Sequence, residues 1–190
     1  MEKSPLLIIL LGYPGSGKSY FSQKLSEKIG AVRINGDALR IALAGSIKKV
    51  RDMQTHHLNQ FEGYINNSFL YDIRQVLRVG DSVICDMDNH KKSGRRAFEK
   101  IAKEFGVTPV IVWIRTPWSV ALKRTKTRKP ADDSRRFSIK EAPRLMQEHM
   151  VHFDEPTFRE NKIEIDGTVT FDEQFRDFEK QLKQIISKSR

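Results

Sequence analysis

Residues 6–19 read LLIILLGYPGSGKS. A short apolar run opens there onto Gly12-Tyr13-Pro14-Gly15-Ser16-Gly17-Lys18-Ser19, the G-x-x-x-x-G-K-S spacing of a loop that cradles phosphate. The run Leu6–Leu11 predicts a buried strand. Glycines at 12, 15 and 17 let the backbone take conformations closed to residues with a Cβ, so that consecutive N–H groups face one polyphosphate. A helix expected from about Lys18 to Ile29 adds the positive end of its dipole. Lys18 is placed to reach the β- and γ-phosphates, and the Ser19 hydroxyl to bind Mg²⁺. The expected nucleotide contacts are therefore Gly12, Gly15, Ser16, Gly17, Lys18, Ser19 and Tyr20. A glycine-rich turn that merely packs closely explains less, because the strand, the helix and the terminal Lys-Ser all stand in the required context.

A chain of 190 residues suits one domain, here 1–190, large enough to bury a core without disulfides or a structural metal. The single cysteine, Cys85, lies in the apolar run Ser82–Cys85 and reads as a small buried side chain in a reducing compartment. The N-terminal apolar run is too short to span a bilayer and leads straight into the phosphate loop, so neither a signal peptide nor a membrane anchor is expected, and the setting is cytoplasmic. Lysine and arginine number 34 against 24 acidic residues, a net charge of +10. That field favours polyanionic partners and is equally compatible with a protein that handles only nucleotides.

Further apolar runs at Ala31–Ile34, Ser82–Cys85, Pro109–Ile114 and Lys162–Ile165 alternate with helix-like segments. With the first strand they predict an α/β three-layer sandwich around five parallel strands. Helices are expected at Ser16–Ile29, Asp37–Ala44, Asp52–Val79, Ser93–Phe105, Trp118–Thr125, Ile139–His152 and Phe171–Ser187. The basic stretch Lys123–Arg136, interrupted by Pro130, Asp132, Asp133 and Ser134, reads as part of a lid over about 118–137.

Asp37 follows the second strand, where open α/β sheets build their ligand crevice, and is the candidate base that aims an attacking hydroxyl and takes its proton. The competing role is a helix N-cap. Arg40, one turn on, is placed to hold an anionic group of the acceptor. Asp86 ends the third strand, where a carboxylate can hold a Mg²⁺ water, and Asp88 either shares that work or serves the turn with Asn89. Arg95 and Arg96 on the next helix read as solvated surface. Arg124 and Arg128, four apart, share a helix face from which they would close over the triphosphate and neutralise the transferring group. His56 and His57 are adjacent, point to different helix faces and do not match a metal site.

Together these residues resemble the P-loop small-kinase group that includes the polynucleotide 5′-hydroxyl kinases, with zeta-toxin-like and antibiotic-phosphorylating kinases as relatives. GYPGSGKS is similar to the group's G-x-P-G-S/A-G-K-S/T loop, and Asn35-x-Asp37-x-x-Arg40 to its N-x-D-x-x-R, in which the Asp is the base and the Arg contacts the phosphate next to the 5′-OH. Ser82–Phe105 resembles the group's strand, Asp-x-Thr-Asn-like turn and arginine-bearing helix, with Asp88 where Thr is common. Trp118–Arg128 resembles a lid helix with paired arginines, and Ile165–Thr168 the loop beside the adenine. The resemblance implies a kinase-type P-loop fold using ATP and Mg²⁺. Its implied catalytic residues are Lys18, Asp37, Arg124 and Arg128; Asp37, Arg40, Asp86 and Asp88 would meet the acceptor, and Ser19 and Asp86 the metal. The acceptor is a hydroxyl, a nucleic-acid 5′ end by preference, with a nucleoside, nucleotide sugar or antibiotic as the alternative. A nucleotide-dependent switch is the distant rival. Asn161-Lys162-Ile163-Glu164 narrowly misses the guanine-reading N-K-x-D, and no D-x-x-G occurs.

Overall fold

The structure, a computed structural model, describes residues 5–127 and 142–188. Five strands, β1 (Leu7–Leu11), β2 (Val32–Asn35), β3 (Val83–Asp86), β4 (Pro109–Arg115) and β5 (Lys162–Asp166), form one sheet in the order β2-β3-β1-β4-β5. All pairings are parallel, with Ile9 opposite both Cys85 and Ile111, and Asn35 opposite Asp86. β1 is buried along its whole length because both faces of the sheet are covered.

Alternation along each strand sends side chains to two cores. Leu7, Ile9, Leu11, Val83, Cys85, Ile111 and Trp113 pack with Phe69, Ile73 and Leu77 of α4 (Leu58–Arg78) and with Phe98, Ile101 and Ala102 of α5 (Lys92–Phe105). Ile8, Leu10, Ile84, Val110, Val112, Ile114, Ile163 and Ile165 meet Phe21 and Leu25 of α1 (Lys18–Ile29) and Phe178 of the C-terminal helix, Phe171–Lys188. The expected three-layer α/β sandwich is the observed fold. No helix among the described residues is long and apolar enough to cross a membrane.

The main departure lies after β2. The expected helix Asp37–Ala44 is α2 (Gly36–Ala44), but in place of one helix from Asp52 to Val79 the chain forms α3 (Ile47–His56) and α4, with the break at His57. Ser46 starts α3 by accepting the Lys49 N–H. The break has a packing cause. Val50 and Phe61 share a small core with Ala44 and Ile65, whereas on a continuous helix eleven residues would separate them by about 16 Å. Beyond β4 come α6 (Trp118–Thr127) and α7 (Ala142–Val151), which bracket the remainder of the expected lid. Arg128, and the expected start of a helix at Ile139, lie outside the described residues.

Candidate active site

At the carboxyl end of β1 the loop turns through three positive-φ glycines: Gly12 at 148°, Gly15 at 78° and Gly17 at 102°. Two of them also lack room for a side chain. A Cβ on Gly12 would lie 2.7 Å from Ser16 Oγ and 2.8 Å from the Ile114 carbonyl, and one on Gly15 would run into the Ala121 carbonyl and Thr125 Oγ1 of α6. The loop is therefore held between β4 and α6. Ser16 Oγ is buried beneath it without a hydrogen-bond partner among the described residues, while the Ser16 carbonyl accepts from Thr116 Oγ1 at 2.8 Å and faces Arg124 Nη1 at 3.5 Å. Lys18 Nζ is wrapped by the loop, donating to the carbonyls of Gly12 and Tyr13. Tyr20 is 56% exposed on α1.

Arg124 donates to the Gly167 carbonyl at 2.8 Å, so α6, the phosphate loop and the turn after β5 meet at one guanidinium. Gly167 has no space for a Cβ, which would sit 2.6 Å from the Ser16 carbonyl. This places the expected adenine-side loop, Ile165–Thr168, directly against the cradle.

Beside the cradle, Asp86 is buried at the end of β3, with Oδ1 3.5 Å from Ser19 Oγ. Its Oδ2 accepts from Ser22 Oγ at 2.8 Å, Asn35 Nδ2 at 2.9 Å and the Arg33 guanidinium, whose Nε lies at 2.9 Å. Three side chains thus engage one oxygen and turn the other to the phosphate loop. Arg33 and Ser22 were not anticipated. The available signal was a lone arginine within the apolar run of β2.

The β2–β3 pairing sets Asn35 opposite Asp86 and leaves Asp37 in the first turn of α2. The cap of α2 is Asn35, whose Oδ1 accepts the Ala38 N–H at 2.8 Å, so the N-cap role considered for Asp37 belongs to Asn35. Arg40 differs more sharply from expectation. It is 3% exposed, gives Nε and Nη2 to Glu62 at 2.9 and 2.6 Å, and reaches Asp37 at 3.1 Å. Burial opposes its charge, but the hydrogen bonds and charge of Glu62, with Asp37 and Asp88, raise its pKa above the ordinary value. It is not a solvent-facing hook for an acceptor anion, because two carboxylates, Glu62 and Asp37, already engage it.

Asp88 accepts at one oxygen from both His90 Nδ1, at 2.7 Å, and His149 Nε2 of α7, at 2.9 Å. Burial alone would raise its pKa, yet the hydrogen bonds and charges of His149 and His90 hold it well below the usual carboxylate range. His149 also meets the Tyr13 ring edge-on, with 6.1 Å between centroids, and Phe153 packs on Tyr13 at 4.7 Å. Arg95, expected at the surface, is 1% exposed. It pairs with Glu160 at 2.7 Å and donates to the carbonyls of Asn89, His90 and Asp154, pinning the β3–α5 loop to the segment after α7. Neighbouring Arg96 is exposed, as expected.

Fit to ATP and Mg²⁺ can be judged from these groups. The cradle encloses a cation, and α1 opens with glycine at its N-cap, leaving its first N–H groups without a capping side chain. The pair nearest the loop, Ser19 Oγ and Asp86 Oδ1, consists of hard oxygen donors of the kind Mg²⁺ takes. The residues present suit both.

Residues 7–153 match AAA_33, an AAA domain. The chain is 34% identical over 119 residues to an L-seryl-tRNA(Sec) kinase of Methanococcus maripaludis, an alignment covering 63% of this chain and 44% of that protein. The chain thus aligns with under half the length of that relative. Among solved structures, a sugar kinase from Janibacter sp. superposes with a TM-score of 0.69 at 15% identity, covering 94% of this chain and 95% of that one. A gluconokinase from Sinorhizobium meliloti gives 0.64 at 21% identity over 97% and 95% of the two chains. At these identities the two structures share the fold.

Proposed function

The chain belongs to this AAA domain family, and from that premise we propose that it is an ATP-dependent phosphotransferase moving the γ-phosphate to a hydroxyl acceptor. The observation that carries the proposal is the convergence of a glycine cradle holding Lys18, the carboxylate of Asp86 beside Ser19, and Asp37 just past the neighbouring strand. The loop N–H groups and Lys18 bind the phosphates. Ser19 and Asp86 Oδ1 would hold Mg²⁺, which when bound neutralises charge on the β- and γ-phosphates. Asp37 orients the acceptor hydroxyl and takes its proton, and Arg40 keeps Asp37 in place. Arg124, already against the loop, stabilises the transferring group, with Arg128 assigned the same task.

For the acceptor we favour a hydroxyl carried on a nucleic acid, the 5′-OH first. Support comes from the Asn35-x-Asp37 part of the resemblance, which places the base, and from the +10 net charge. A second reading, the free side-chain hydroxyl of a serine joined to tRNA through its carboxyl group, is favoured by the kinship with the 34% identical seryl-tRNA kinase. A single-domain organisation and a cytoplasmic setting belong to the same proposal. The test is to incubate the protein with γ-labelled ATP and, separately, 5′-OH RNA, 5′-OH DNA, seryl-tRNA, gluconate and an aminoglycoside. Label on a 5′ end supports the first reading and label on the seryl group the second. Label only on gluconate or the aminoglycoside overturns both while leaving the phosphotransferase standing, and no transfer to any acceptor counts against the phosphotransferase itself.

A further inference from the structure

We infer that Asp88, His90 and His149 form a second metal site, one that takes a borderline divalent transition ion such as Zn²⁺, separate from the oxygen-donor site at Ser19 and Asp86. Each residue offers one donor atom, and the three atoms lie within 4.8 Å of one another. His90 Nδ1 and His149 Nε2 converge on the same Asp88 oxygen, at 2.7 and 2.9 Å, and the imidazole centroids are 4.3 Å apart. In a tetrahedral Zn²⁺ centre, bonds of about 2.0–2.1 Å put neighbouring donors about 3.3 Å apart. Each imidazole nitrogen needs to move only about half an ångström further from the Asp88 oxygen to reach that spacing.

The donor set discriminates between ions. Two imidazoles and one carboxylate suit Zn²⁺, Co²⁺ or Ni²⁺, whereas Mg²⁺ seeks six oxygens and keeps its water. Three protein ligands leave a fourth position open to solvent. Coordination requires each imidazole to be neutral with its proton on the other nitrogen; for His149 that atom, Nδ1, is buried with no hydrogen-bond partner among the described residues, a cost that the bond to the metal has to offset.

The consequence is mechanical. His149 lies on α7, beyond the lid, whereas Asp88 and His90 lie on the loop between β3 and α5. Metal would tie these elements together beside Tyr13 of the phosphate loop, whose ring His149 contacts edge-on. Neither histidine was singled out by sequence spacing, because 59 residues separate them and only the packing of α7 brings them together.

The experiment titrates the chelator-treated full chain with Co²⁺ and then Zn²⁺, in excess Mg²⁺, reading visible Co²⁺ absorption and the thermal midpoint. Wild type should bind one equivalent with the absorption of a low-symmetry four-coordinate centre, lose that colour to Zn²⁺, and melt higher with Zn²⁺ than without. His149→Asn and His90→Asn should each weaken binding by at least about 100-fold, since removing even an outer-shell partner of a ligand costs about 10–100-fold. The double variant His56→Asn/His57→Asn should behave as wild type. Circular dichroism of the metal-free variants confirms that they fold. If His149→Asn fails to fold, the His90→Asn titration decides alone. Binding unchanged in a folded His90→Asn or His149→Asn, loss confined to the His56/His57 variant, or displacement by millimolar Mg²⁺ would each overturn the inference.

Discussion

The two sides of the cleft are built by different means. On the donor side the groups that meet phosphate are mostly backbone, contributed by one continuous loop and the start of α1, and the side chains that matter, Lys18 and Ser19, are adjacent in sequence. On the acceptor side every group is a side chain held by another side chain. Asp86 is oriented by Arg33, Asn35 and Ser22, Asp37 by Arg40, Arg40 by Glu62, and Asp88 by two histidines from separate elements. A backbone cradle serves any polyphosphate, so it carries little information about the second substrate. A side-chain network can be rewired at each position, and specificity resides there.

Four changes probe this contrast, the largest effect first. Lys18→Ala should lower phosphate transfer by about 10³-fold, the scale for losing one preorganised charge-stabilising donor. The thermal midpoint reads separately how far the bonds from Lys18 to the Gly12 and Tyr13 carbonyls hold the loop. Steady-state kinetics beside a melt checks it, and unaltered turnover would remove the donor-side assignment. Asp37→Asn should lower transfer by about 10²-fold while ATP binding, measured by calorimetry, stays near wild type. Collapse of ATP affinity with normal turnover at saturation would instead move Asp37 to the donor side.

The third change addresses the floor of the acceptor side. Glu160→Gln should cost about 2 kcal/mol at neutral pH by uncharging the partner of buried Arg95. Burial opposes the Glu160 charge, but Arg95 and Thr157 outweigh it and lower its pKa from 4.5. The stabilisation is therefore present above pH 4.5, begins to fade below that value and is gone beneath the lowered folded value. Urea titrations across that range should show wild type and variant converging as pH falls, and a gap that persists in acid would assign the effect to packing. The smallest change, Ser46→Ala, removes the α3 cap and should cost about 1 kcal/mol with no change in transfer once folded. A fall in turnover comparable to Asp37→Asn would show that α3 takes part in the acceptor side itself.

The donor side was readable because its signals are local. Glycine spacing, the strand before it and the helix after it occupy one window, and short apolar runs marked the five strands to within a residue or two. Where reading failed, the deciding contact lay far along the chain. Arg95 looked like surface, since helical spacing does not reveal that Glu160 waits 65 residues on to neutralise it. The break at His57 was invisible because nothing local forbids a helix there, and it arises from Val50 and Phe61 sharing one core.

By itself, then, the sequence determined a phosphate cradle, a parallel sheet buried on both faces and the pair of strand-end acids Asp37 and Asp86, all of which follow from residue type and short-range spacing. Only the tertiary structure decided which of Asp86's oxygens faces Ser19, that Arg40 is enclosed by Glu62 and Asp37, and that two distant histidines meet at Asp88. The physical reason is that a backbone cradle depends on consecutive φ and ψ angles, which local sequence encodes. A buried charge network depends on which remote partners desolvate and neutralise each group, and that is settled only when the elements pack.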